Sequence, residues 1–206
     1  MITLPKAITF DCYGTLIDWE SALQQFFAQR LAAHDIEGMD ARALQHRWEE
    51  IQFVYIQERY RPYREVLRDT MHMALDTAQV PYAEEDIEAF ADSMGTWQPF
   101  PDTKEAILDL QKFLKVVLIT NTDNAIIAET ERTIGVKFDD IITAEQAGAY
   151  KPSHRGFLLA RERLGLPVSD IWHAGFGFKY DIVPATELGY TTVWVNRQGE
   201  TRPVDV

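Results

Sequence analysis

The chain has 206 residues, 46% of them hydrophobic, which suits a folded core with room for an insertion and excludes a disordered segment. Its 20 Lys and Arg against 32 Asp and Glu leave a formal net charge of −12, which argues against nucleic acid and membrane surfaces as partners but leaves a small-molecule substrate open. The single cysteine, Cys12, rules out an intramolecular disulfide and fits a cytoplasmic location, and the opening "MITLPKAITFDCYG" does not read as a signal peptide.

Taken in order, the first β-rich run is "KAITF" (6–10), followed directly by Asp11. Residues 19–98 then hold no convincing strand. Apolar residues recur there at helical spacing, as in Leu44, Trp48, Ile51 and Tyr55, or Ile87, Phe90 and Met94. About four helices are expected, with the two prolines of "WQPFPD" (97–102) marking the return. From there strands and helices alternate. The strands are "KVVLIT" (115–120), "DDIIT" (139–143), "DIWHA" (170–174) and "YTTVWV" (190–195). The helices are 101–113, with a capping-box pattern in Asp102 and Glu105; 124–135 and 152–165, each closed by glycine; and a short stretch at 179–189. This alternation predicts an α/β fold: a Rossmann-like parallel-sheet core from residues 1–17 and 99–206, and an all-helical cap from residues 18–98. A cap inserted there lies over the strand ends, where ligands of such sheets bind, and keeps water from the chemistry beneath.

Chemistry-bearing residues follow four of the strands. Asp11 ends the first, Thr120 and Asn121 the second, and Lys151 and Asp181 lie in the loops after the third and fourth. An acid at the end of a buried strand is costly without a purpose. The five histidines show no ligand spacing, so no zinc is inferred. Cys12 reads as a small buried hydrophobe pointing away from Asp11.

The stretches "FDCYGTLID", "LITNTDN", "GAYKPSHRGF" and "GFGFKYD" resemble the four ordered motifs of the haloacid dehalogenase superfamily. The branch that uses Asp-x-Tyr, the 2-haloacid dehalogenases, is the most similar, and "HRWEEIQFVYIQERYRPYREVLRDTM" (46–71) resembles its cap. The resemblance implies a hydrolase of small 2-substituted carboxylic acids, with no cofactor. Asp11 is then the nucleophile, Lys151 neutralises it, and Asp181 orients or activates water. Thr15 and Thr120 bind the substrate carboxylate, while Arg47 and Asn121 hold the departing halide. A homodimer is also allowed. The first motif, "PFPDT" and "GVKFDDIITAEQAGAYKP" resemble azetidine-2-carboxylate hydrolase as well, so opening of a strained ring is the nearest variant.

Superfamily phosphatases carry a second acid two residues after the nucleophile and hold magnesium with a Gly-Asp-x-x-x-x-Asp motif. Here those positions are Tyr13 and Phe176, neither of which offers magnesium a carboxylate. The magnesium-dependent phosphatase is therefore an alternative, as is a weakly catalytic binding relative. Phe157, Phe176 and Phe178 replace three polar groups of the branch. Relatives usually continue beyond "NRQGETRPVDV" into one more strand or helix. Residue by residue, Asp181 also suits a helix cap, Arg47 a solvated side chain, and Asn121 a turn.

Overall fold

Each β-rich run of the sequence becomes a strand of one parallel sheet. In the computed structural model, which describes residues 4–199 and 201, these are β1 (Ala7–Phe10), β2 (Lys115–Thr120), β3 (Asp140–Thr143), β4 (Ile171–Gly175) and β5 (Thr191–Trp194). The order across the sheet is β3-β2-β1-β4-β5. The inner strands are apolar on both faces because both faces are covered. Phe10 of β1 stands opposite Leu118 on one side and Ala174 on the other. Successive strands run outward from β1 first on one side and then on the other. The crevice beyond the carboxyl end of β1 is thus the switch point of the sheet, and Asp11 is the residue that enters it.

Between β1 and β2 come α1 (Trp19–Ala33), α2 (Ala41–Glu58), α3 (Tyr63–Ala78) and α4 (Glu84–Ser93), then a 3₁₀ turn over Met94–Thr96. Asp18 and Asp40 cap the first two by accepting from the backbone N–H groups of Ser21 and Arg42. Of the apolar residues read at helical spacing, Leu44, Trp48, Ile87, Phe90 and Met94 are buried and Ile51 and Tyr55 half-buried; Val66, Leu67, Met71 and Ala74 of α3 are buried as well. Helix α3 starts after Pro62 without a local cap. Its orphan N–H groups at Tyr63 and Arg64 donate instead to Asp123, which comes from the loop after β2. The chain enters and leaves the helices as a paired link. Asp18 N–H donates to the Gln98 carbonyl, and Phe100 N–H to that of Leu16.

The remaining helices are α5 (Thr103–Leu110), α6 (Asn124–Ile134), α7 (Ala144–Ala147), α8 (Arg155–Leu164) and α9 (Val183–Glu187). Gly135 and Gly165 end α6 and α8 in the left-handed conformation, as their positions predict. The capping box at Asp102 does not form. Asp102 lies in helical conformation without a cap bond, because the Arg197 guanidinium takes both of its carboxylate oxygens at 2.9 Å. The stretch expected as one helix over 179–189 is split. Phe178–Ile182 form a π-helical turn that leads into α9. Of the C-terminal stretch whose continuation was expected, residues 200 and 202–206 lie outside the described residues. No helix among the described residues is long and apolar enough to cross a membrane.

Candidate active site

Asp11, Lys151 and Asp181 come from three separate segments that follow β1, β3 and β4, and they meet at the end of β1. The Lys151 ammonium donates to Asp11 Oδ1 at 2.8 Å and to Asp181 Oδ1 at 2.5 Å. All three are buried, at 7%, 4% and 1% exposure. Burial raises the Asp11 carboxyl above the ordinary range, and the neighbouring Asp181 charge adds to this; Lys151 and the Thr15 hydroxyl offset only part. For Asp181 burial acts the same way, but Lys151 and His173 outweigh it and hold its carboxyl low. Burial also works against the Lys151 charge, and its two carboxylate partners more than compensate, so its pKa is raised. The arrangement therefore separates two carboxylates by environment, with the ammonium between them.

Each member is positioned by backbone. Asn121 grips the Lys151 peptide from both sides: its Oδ1 accepts from Lys151 N–H at 2.7 Å, and its Nδ2 donates to the Lys151 carbonyl at 3.1 Å. Asp181 sits on the π-helical turn, its N–H donating to the Gly177 carbonyl. A Cβ at Gly175 would lie 2.6 Å from the Asp181 Cβ, so "GFGFKYD" needs a glycine there for the acid to approach the strand end. The loop after Asp11 turns at Gly14, whose φ of +93° favours glycine. Arg197 donates to the Thr15 carbonyl and fixes that loop to Asp102.

The site opens into a pocket of about 140 Å³. It is lined by Asp11, Lys151, Asp181 and Asn121, and by Phe176 and Gly177. Trp19, Trp48 and Trp97 form an aromatic wall with Tyr63 and Tyr180. Tyr13 also lines it, but its hydroxyl is paired with Thr130 Oγ1 at 2.7 Å, and burial pushes its pKa well above the ordinary phenol value. Tyr13 thus supplies no ready acid beside the nucleophile. Neither it nor Phe176 offers a carboxylate, and Asp11 and Asp181 are both bound to the Lys151 ammonium. The residues present do not fit a magnesium site of the phosphatase kind.

Several expected contacts are relocated. Thr15 donates its hydroxyl to Asp11 Oδ2 at 2.7 Å and accepts the Phe176 N–H at 2.8 Å, so it orients Asp11 instead of facing the pocket. The Thr120 hydroxyl is buried without a hydrogen-bond partner among the described residues, but Thr120 is not part of the pocket wall. Arg47 is a correction. It is exposed, and its guanidinium reaches the Thr77 carbonyl at 3.4 Å. The helical repeat explains why: the pocket face of α2 is set by Trp48, Glu49 and Gln52, which turns residue 47 outward. Of the three phenylalanines that replace polar groups, only Phe176 lines the pocket. Phe157 packs edge-on against His173 beneath the sheet, and Phe178 against Trp194. Cys12 is fully buried in the core, its thiol pushed up by burial.

Sequence reasoning missed His173. It is fully buried and pairs with Thr9 Oγ1 at 2.8 Å and Asp181 at 3.3 Å. The signal lay in the strand register: Thr9, two residues before Asp11 and on the same face, stands opposite His173.

A (S)-2-haloacid dehalogenase of Pseudomonas putida is 25% identical over 201 residues, covering 94% of this chain and 85% of the relative. A glyceraldehyde 3-phosphate phosphatase of Methanocaldococcus jannaschii is 36% identical, but over only 101 residues, 47% of this chain and 43% of its own. The crystal structure of an L-2-haloacid dehalogenase superposes with a TM-score of 0.87 at 22% identity, covering 99% of this chain and 92% of the other, a likeness of fold. The family model of haloacid dehalogenase-like hydrolases matches residues 5–189. With its acid at the end of β1, its buried lysine and its second acid after β4, the chain belongs to the haloacid dehalogenase-like hydrolases.

Proposed function

We propose that the protein hydrolyses a small 2-substituted carboxylic acid through an ester formed on Asp11, with halide as the leaving group. One observation carries the reading: a buried carboxylate held by Lys151 and Thr15 and lining the pocket, with no second carboxylate two residues on. An Asp11 oxygen attacks the α-carbon from the side opposite the halide. The carbon–oxygen bond forms as the carbon–halogen bond breaks, and halide leaves with the electron pair, so no proton donor is required. Water, oriented by Asp181, then adds to the Asp11 ester carbonyl, the acyl carbon–oxygen bond breaks, and of the two water protons one goes to the departing alkoxide and the other to solvent. The water oxygen stays on Asp11, and the 2-hydroxy acid leaves with inverted configuration. Lys151 neutralises Asp11 before attack and again when the carboxylate is released.

The helical insertion acts as the cap of this chemistry, and no metal takes part. The test is halide release from (S)-2-chloropropionate with a chelator present and Asp11→Asn as the control. Release that survives chelation and stops in the variant supports the reading. Release that persists in the variant contradicts it. The outward position of Arg47 favours a second reading, opening of a strained ring amine through the same Asp11 ester, because the cation expected to hold halide is not in the pocket wall; there the α-carbon–nitrogen bond breaks and the nitrogen, protonated in the ring, leaves with the electron pair as a neutral amine.

A further inference from the structure

We propose that His173 is a positioning residue for hydrolysis of the Asp11 ester: with Lys151 it binds one oxygen of Asp181 and so keeps the other, beside Gly177, for the attacking water. The inference rests on the ester reading and goes on to the residue that prepares its second step. Both side-chain donors to Asp181 reach the same oxygen. Lys151 Nζ lies 2.5 Å from Oδ1, and His173 Nε2 lies 3.3 Å from it. Oδ2 accepts no hydrogen bond among the described residues, although Asp181 lines the pocket.

Gly177 keeps Oδ2 uncovered. Its φ of −70° and ψ of 101° are open to any residue, so conformation does not require glycine there. Space does: a Cβ at Gly177 would lie 2.8 Å from Asp181 Oδ2. Gly177 lines the same pocket. An acceptor without protein donors, next to a residue without a side chain, is left for water.

His173 is held so that it points one way. It is fully buried on β4, the Thr9 hydroxyl of β1 lies 2.8 Å from its Nδ1, and Phe157 packs edge-on with 5.0 Å between ring centroids. Against the upward push of burial, Lys151 and His173 hold the Asp181 carboxyl low, so it is ionised and only accepts. Nε2 therefore carries the proton given to Oδ1, and Nδ1 is turned to Thr9. Lys151 alone does not fix this geometry. Its ammonium is a point charge with rotatable donors, and it also serves Asp11. Esterification removes the Asp11 charge and with it half of what holds the ammonium in place. His173 makes no hydrogen bond to Asp11, so its grip on Asp181 is the same before and after the ester forms.

The test follows the two steps separately in the full-length protein, with (S)-2-chloropropionate and with azetidine-2-carboxylate. Rapid mixing reads the first turnover, and intact mass after acid quenching reads the fraction of Asp11 held as ester. His173→Leu is expected to leave ester formation as in the parent and to slow ester hydrolysis about 10- to 100-fold, so the ester accumulates. His173→Gln, whose amide N–H reaches toward Oδ1, recovers part of the loss. Thr9→Val keeps the β-branched shape of its strand, so it remains informative if His173→Leu folds poorly. It frees the ring and slows hydrolysis in the same direction. A merely structural defect lowers the amount of active protein and leaves the ratio of the two rates unmoved. That result, or ester hydrolysis at the parent rate in His173→Leu and Thr9→Val, overturns the proposal. A parent that forms no Asp11 ester from either acid refutes the ester reading and this inference with it. A parent that passes through the ester, while both variants clear it normally, refutes only this inference.

Discussion

Replacing Lys151 by Met removes the one cation between two buried carboxylates. Asp11 and Asp181 are 7% and 1% exposed, and both lean on the same ammonium, at 2.8 and 2.5 Å. Removing one partner of a buried ion pair costs about 3–5 kcal/mol, because the charge left behind has neither water nor a counter-ion. Here two charges are left behind and repel each other, so the upper end of that range is expected near neutral pH. The pH dependence has a definite sign. In the variant both carboxyls titrate above their unfolded values, so their penalty is absent in acid and grows as pH rises. In the parent, the depressed Asp181 pKa contributes stability that is present above the unfolded value and lost as pH falls. Between neutral pH and about pH 5 only the first effect narrows the gap, because pH 5 still lies above the unfolded carboxyl value of about 3.9 and the Asp181 contribution of the parent is intact there. Urea unfolding of both proteins near neutral pH and at about pH 5 measures it. A loss under about 1 kcal/mol, or a loss of the same size at both pH values, refutes the view of Lys151 as the shared counter-ion. Adding Asp181→Asn to Lys151→Met is expected to recover part of the stability without recovering activity.

Other outcomes follow from the same contacts. Thr15→Val removes a hydrogen bond to the ionised form of Asp11, so the acid limb of the kcat/KM profile moves to higher pH; an unmoved limb contradicts the role given to Thr15. Arg47→Ala is expected to change kcat/KM less than about twofold and stability by under about 0.5 kcal/mol, since the side chain is exposed and points away from the pocket. Asp123→Ala leaves the first N–H groups of α3 unpaired and costs about 1–2 kcal/mol in urea unfolding.

The fold was legible because its signals are local. Strand runs such as "KVVLIT" are short, apolar and bounded, and glycines 135 and 165 stop their helices where the left-handed conformation requires them. Asp11, Lys151 and Asp181 were legible because each follows its own strand, and a parallel sheet brings such loops to one edge. What was not legible depends on contacts between distant parts of the chain. Asp102 has the sequence of a helix cap but is drawn away by Arg197, 95 residues later. Asp123 has the sequence of a local turn but caps a helix some 60 residues earlier. Arg47 was assigned by similarity of position, and one residue along a helix is about 100° of rotation, enough to exchange a pocket wall for solvent. His173 has no sequence signal of its own, because its partner Thr9 is a neighbour in the sheet and not in the sequence.

The central claim is the covalent ester on Asp11. Turnover of (S)-2-chloropropionate or azetidine-2-carboxylate in water enriched in heavy oxygen, followed by mass analysis of the peptide containing Asp11, tests it most directly. The account predicts heavy oxygen in the Asp11 carboxylate, with the first product molecule from each enzyme carrying the original Asp11 oxygen. Heavy oxygen in the product from the first turnover, with the Asp11 peptide unlabelled, contradicts it.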